Sequence, residues 1–151
     1  MQELSISRHI AASPETVYRV WTTRTSEWFA PRPWTMPVVQ YDLRPGGSSY
    51  CEMESPQGER MPMHGVFLEI VPNEKIVFTD AFKAGWEPQE AFMVAIVTFE
   101  ARDGGTLYTA RVRHWSEEAL KRHQEMGFEP GWTQVAAQLA ELAEAEEQAA
   151  A

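Results

Sequence analysis

The side chains able to do chemistry are few and widely spaced. The histidines are His9, His64, His114 and His123, and Cys51 is the single cysteine. Structural zinc sites draw on Cys and His repeated at short spacings. Here no His-x-His or His-x-x-x-His pair occurs and Cys51 has no second cysteine beside it, so no metal site and no other cofactor is expected. A cysteine nucleophile needs a nearby base and a lowered pKa. His64 or His114 could supply the base, but a buried inert thiol is the plainer reading of Cys51. There is no Gly-x-Ser-x-Gly elbow and no glycine-rich loop between a strand and a helix. Gly46-Gly47 and Gly104-Gly105 fall where hairpin turns are expected. No catalytic residue is assigned, although an acid–base pair of His114 and Tyr108 stays open.

Charge and composition narrow the classes further. Thirteen Lys and Arg face 22 Asp and Glu, a formal charge of −9. That leaves no basic surplus for nucleic acid or for an anionic membrane surface. No stretch is long and apolar enough to span a bilayer, and the first residues lack a signal pattern. With its lone cysteine the chain is expected in the reducing cytoplasm. The acidic run in AELAEAEEQAAA reads as a solvated helix end. At 151 residues one domain is the economical reading.

The elements that must position these residues follow from local pattern. Residues 3–10 alternate as a strand. Ser13-Pro14-Glu15 opens a helix, since Ser caps free N–H groups, Pro fits the first turn and Glu favours the positive end. Val17, Val20, Trp21 and Arg24 share its face. Ser26 is expected to cap a second short turn, which Pro31 and Pro33 end. Strands are predicted over 36–43 and 48–54, and over 63–71 and 74–80 around Pro72-Asn73. A loop over 83–90 carries Trp86. A further hairpin spans 92–100 and 106–115 around Asp103-Gly104-Gly105. Ser116 starts a short helix that Gly127 ends. Pro130 is expected to open the last helix, whose Trp132, Val135, Leu139 and Leu142 form one buried stripe.

These blocks, in this order, resemble a known family. SPETVYRVWT, EWFAP, DLRPGG at 42–47, GVFLEIVPNEKIVFT at 65–79, VTFEARDGGTLYTARVRH at 97–114 and GFEPGWTQVAAQLAEL carry the resemblance. The chain is similar to the heat-shock protein 90 ATPase activator homologue-like branch of the START-like (Bet v 1-like, SRPBCC) superfamily, over about residues 4–143. The resemblance implies an α+β helix-grip fold: a curved antiparallel sheet of six or seven strands around a long C-terminal helix, with small helices after the first strand. Some members bind small apolar molecules, and eukaryotic relatives activate a chaperone ATPase, a stress-response role. Fold alone does not choose between these.

Strand alternation proposes a cavity lining. Val39, Tyr41 and Leu43 share one face, as do Ser49, Cys51 and Met53. The small Ser49 and Cys51 would leave room for a ligand. His64, Val66, Leu68 and Ile70 form another inward set, Met93, Ala95, Val97 and Phe99 a third, and Tyr108, Ala110, Val112 and His114 a fourth. Tyr108, His64 and His114 are the candidate polar anchors, because buried polar groups need partners. Trp34, Trp86, Trp132 and Val135 complete the expected wall. Phe92, Val94 and Ile96 fall on the opposite face and need cover, from a homodimer contact or from a crossing segment such as 83–90.

Three functions are consistent with this pattern. The first is non-catalytic binding of a small hydrophobic molecule, for which Ala95→Trp is expected to fill the cavity. The second is a protein-interaction module with a chaperone partner, which predicts a filled interior and an exposed apolar patch. The third is an enzyme in which His64, His114 or Tyr108 converge on a bound substrate.

Overall fold

The computed structural model describes residues 2–151. The chain runs β1 (Glu3–Ile10), α1 (Pro14–Thr23), α2 (Thr25–Trp28), β2 (Thr35–Tyr41), β3 (Ser49–Glu54), β4 (Arg60–Met63), β5 (Val66–Val71) and β6 (Lys75–Thr79). After β7 (Phe82–Lys83) and β8 (Glu87–Pro88) come β9 (Met93–Arg102), β10 (Gly105–His114), α3 (Glu117–Glu125) and α4 (Phe128–Ala150). This is the expected mixed helix-grip architecture. Its strands are divided between a five-stranded sheet, β1-β10-β9-β6-β5, a three-stranded sheet, β2-β3-β4, and the small β7-β8 ribbon.

The two larger sheets meet at a seam. Ser48 bridges Val66. Gly46 N–H donates to Phe67 O at 2.7 Å, and Ser49 N–H donates to Gly65 O at 3.0 Å. Gly65 is required there: a Cβ would stand 2.5 Å from Thr79 O and 2.7 Å from Ser49 Oγ. The predicted single strand over 63–71 is therefore two strands, broken at His64-Gly65. A bulge between Phe67 and Glu69 then shifts β5 against β6. It leaves Val66 and Phe67 both buried and Leu68 37% exposed. Expecting Leu68 to point inward fails because one extra residue inverts the pleat.

The principal core is built by α1, α4 and the inner face of the five-stranded sheet. Val17, Val20 and Trp21 of α1 pack with Val97, Phe99, Tyr108 and Ala110 of β9 and β10. Across them lie Val135, Ala136, Leu139, Ala140 and Ala143 of α4, whose alanines allow close approach. The cap of α1 forms as expected, Ser13 Oγ accepting from Thr16 N–H, and Ser116 Oγ likewise accepts from Ala119 N–H. Ser26 lies inside α2, where no side chain caps.

The acidic end of α4 is not merely solvated. Glu144 accepts from Ala11 N–H and Glu147 from Ser13 N–H. Glu146 pairs with Arg19 at 2.9 Å and with Arg24 at 2.8 Å. These carboxylates tie the terminal helix to α1 and to the residues at both of its ends. Glu146 is held below the usual carboxylate range by its hydrogen bonds to Arg19 and Arg24. Among the described residues no helix is long and apolar enough to cross a membrane.

Candidate functional site

The three-stranded sheet supplies one wall of a hollow. Its register pairs Tyr41 with Ser49, Val39 with Cys51, Cys51 with Met63 and Met53 with Met61. Directly paired residues share a face, so Tyr41 and the methionines flank the small Ser49 and Cys51 on the central strand. The start of α4 faces them through Phe128, Gly131, Trp132 and Val135. Phe29 and Pro31, after α2, and Phe92 and Met93, at the start of β9, enclose the ends. Together they surround a cavity of about 800 Å3, within the usual scale of small-molecule pockets.

Of the predicted lining, Trp34, Tyr41, Ser49, Cys51, Met53, His64, Met93, Trp132 and Val135 border this cavity. The others lie elsewhere. Val66, Ala95 and Ala110 are completely buried and do not border the hollow. Ala95 packs with Val112 and Phe128, so Ala95→Trp would overpack a closed core rather than fill a cavity. Tyr108 is also core, its hydroxyl accepting from Trp21 Nε1–H at 3.2 Å, with the phenol's pKa raised by burial. Trp86 is 54% exposed. Its ring packs edge-on to Phe82 and lies over the Gly46 turn, covering a hairpin instead of a pocket.

His114 is buried but stands behind the wall. Its Nδ1 lies 3.2 Å from Gln2 O and its Nε2 lies 2.8 Å from His123 Nδ1. The ring that borders the cavity is His123, from α3. Sequence reasoning passed over it because α3 is mostly charged and its burial depends on packing against β10 and α4. Phe92 was expected on the outer face. It precedes β9 and escapes the alternation, contacting both His114 and His123. Val94 and Ile96 remain part-exposed.

Most polar groups around the hollow already have partners. Thr79 Oγ1–H donates to Met93 O at 2.8 Å. Asp80 Oδ1 accepts from Phe92 and Met93 N–H. Gln89 Nε2–H donates to Asp80 O at 2.9 Å. The Tyr41 phenol is raised well above its ordinary value by burial, although its ring is part-exposed to the hollow. Burial pushes the Cys51 thiol up to about 11, which keeps it neutral and unreactive. His64 is exposed and lies against Tyr50, with ring centroids 4.5 Å apart. Tyr108, His64 and His114 do not converge on one point of the cavity. Among the described residues no cluster of three or more His, Cys, Asp or Glu is arranged to hold a metal ion.

Fold and sequence both identify relatives. A crystal structure of a Nitrosomonas europaea protein is 34% identical, with a TM-score of 0.92 over 97% of this chain and 96% of that one. A protein from Arthrobacter aurescens, solved by NMR, is 22% identical with a TM-score of 0.82, covering 94% of this chain and 86% of its own. The AHSA1-like protein from Aeromonas hydrophila is 19% identical with a TM-score of 0.73, covering 95% and 93%. No curated protein matches this chain. The family described as activator of Hsp90 ATPase homolog 1-like protein matches residues 11–144, nearly the whole fold. The chain belongs to the activator of Hsp90 ATPase homolog 1-like family.

Proposed function

We propose that this protein binds a small, largely apolar molecule between its three-stranded sheet and the start of α4. The observation that carries this reading is the cavity of about 800 Å3 walled by aromatic and methionine side chains. The hollow is open to solvent and its lining is mostly apolar, so apolar surface stands against water there, and an apolar occupant would remove that surface from water. Met61 and Met126, 46% and 68% exposed, border the same hollow. Their flexible, polarisable side chains suit an entrance that adapts to its occupant. The open interior favours a ligand over a module that works only by surface docking, which called for a filled one. A reducing compartment such as the cytoplasm suits the unpaired Cys51.

Native mass spectrometry of protein purified from its own host tests the proposal. The expected result is a stoichiometric adduct that is released as a small molecule on denaturation. Protein that emerges empty, and that also fails to bind neutral naphthalene probes at their solubility limit, would overturn it.

A further inference from the structure

The inner wall of the cavity carries one imidazole whose proton can be located from its neighbours. Gln2 O is a carbonyl and can only accept, so His114 Nδ1, 3.2 Å away, must carry a proton. In a neutral ring that leaves His114 Nε2 as an acceptor. Its partner at 2.8 Å, His123 Nδ1, must then be the donor. In neutral His123 the remaining nitrogen, Nε2, is a bare lone pair.

The two rings are 8% and 7% exposed, and burial without a compensating anion disfavours the charged form of His123 and lowers its pKa. Neither pairs with a carboxylate among the described residues. The Arg122 guanidinium stands 5.0 Å over the Phe92 ring, and that ring touches both imidazoles, so the local cation also opposes a second positive charge. Phe128 and Trp132 cover other sides of His123 at 5.0 and 6.2 Å. Its Nε2 has no partner among the described residues. Unlike the sealed indole N–H of Trp28, it is not closed off from solvent-sized access, and it belongs to a ring that borders the cavity.

We propose that His123 offers the cavity a fixed hydrogen-bond acceptor, and that the ligand is a neutral apolar molecule carrying a hydroxyl or N–H group that donates to it. The inference rests on the ligand-binding reading above. The charges around the hollow point the same way. Asp80 and Glu90 border it and, among the described residues, no Lys or Arg does, so a carboxylate-bearing ligand such as a fatty acid would meet a lone pair and like charge. The hydroxyls of Tyr41 and Ser49 can turn to donate or accept, whereas His123 is committed by the relay behind it.

A matched pair of probes, 2-naphthol and 2-methoxynaphthalene, tests this by calorimetry at pH 7. The wild-type protein is expected to bind the naphthol roughly three- to tenfold more tightly, the usual effect of one neutral hydrogen bond. In His123→Phe the preference should disappear while the ether still binds. A preference that survives in the variant, or equal affinities in the wild type, would assign any selection to other groups and overturn the inference while leaving the cavity reading intact. Failure of both probes to bind would overturn the cavity reading itself. If His123→Phe does not fold, nitrogen-15 NMR of the histidine rings in the wild type decides. Both rings should carry their proton on Nδ1, and the His123 Nε2 resonance should move on adding 2-naphthol. A proton found on His123 Nε2 would refute the proposal.

Discussion

Gly131 offers a sharp test of where the cavity lies. It is the fourth residue of α4 and borders the hollow. A Cβ added there meets nothing within 4 Å, and its backbone is not in the left-handed region. Glycine within a helix costs about 0.5–1 kcal/mol relative to alanine, so Gly131→Ala should stabilise the protein by up to that amount. For a domain of this size the gain corresponds to a rise in Tm of about 1–4 °C. Gly131→Phe should leave stability nearly unchanged, because aromatic residues recover only part of the helix gain, but it places a ring in the ligand's space. Thermal unfolding followed by circular dichroism, and calorimetry with 2-methoxynaphthalene, read the two effects separately. The expected pattern is a higher Tm in the alanine variant and at least roughly tenfold weaker binding in the phenylalanine variant. A lower Tm for Gly131→Ala would mean that the Cβ meets other atoms. Wild-type affinity in Gly131→Phe would mean that the ligand sits elsewhere. Either result refutes the proposed geometry.

Other perturbations follow from the same contacts. Burial, with a smaller contribution from His114, lowers the pKa of His123 to about 4 from an ordinary value near 6.5. Below pH 6.5 the unfolded chain takes up a proton that the folded protein refuses. Stability should therefore fall as pH drops, by about 3 kcal/mol at pH 4, and urea melts should show a clearly shallower decline in His123→Phe. Cys51 should react with a disulfide reagent at pH 8 on the order of a hundredfold more slowly than in the unfolded chain, since a thiol near 11 holds little thiolate; a fast-reacting thiol would contradict its buried placement. Gln138 donates to Trp28 O and Ala30 O, both at 2.8 Å, and accepts from Arg32 N–H. Gln138→Leu leaves these groups unpaired and should cost about 2–4 kcal/mol by denaturant unfolding, whereas a change under 1 kcal/mol would show that water replaces the amide. Ala95→Trp should destabilise by about 1–3 kcal/mol or prevent folding; a stable variant lacking ligand binding would restore Ala95 to the cavity wall.

The sequence was most informative where pattern and packing agree. The Ser13 and Ser116 caps, the inward alternation of β9 and β10, and the stripe on α4 could all be anticipated, because each depends on neighbours a few residues away. Tyr41, Ser49, Cys51 and Met53 reached the cavity for the same reason. Errors began where a long-range event changes the pleat. The bulge at Leu68 and the break at His64-Gly65 are set by the seam with the three-stranded sheet, and no short motif marks either. Phe92 was expected on the outer face because the predicted strand begins one residue early, and His123 was missed because its burial depends on the docking of α3. His114 and Tyr108 were rightly expected to be buried, but burial does not say which cavity, if any, a side chain faces. The tail glutamates looked solvated because their partners, in and just before α1, are more than a hundred residues away.

The division of the strands at the Ser48–Val66 seam has a consequence for how such proteins diverge. The residues that hold α1, α4 and the five-stranded sheet together form one closed cluster. Ala30, Met36 and Cys51, at and behind the cavity wall, form another. Tyr41 of β2 packs on Trp21 and Phe67 of the first cluster, but Ser49, Met53 and Met63 on the cavity face of β3 and β4 lie outside it and can change the hollow with little effect on that cluster. If the proposed ligand-binding function holds, ligand preference could change at such positions at little risk to folding, and the shared fold alone would say little about the ligand. The same partition suits the domain to laboratory evolution, with diversity confined to positions such as Ser49, Met53 and Met63 and the helix-packed half kept constant as the scaffold.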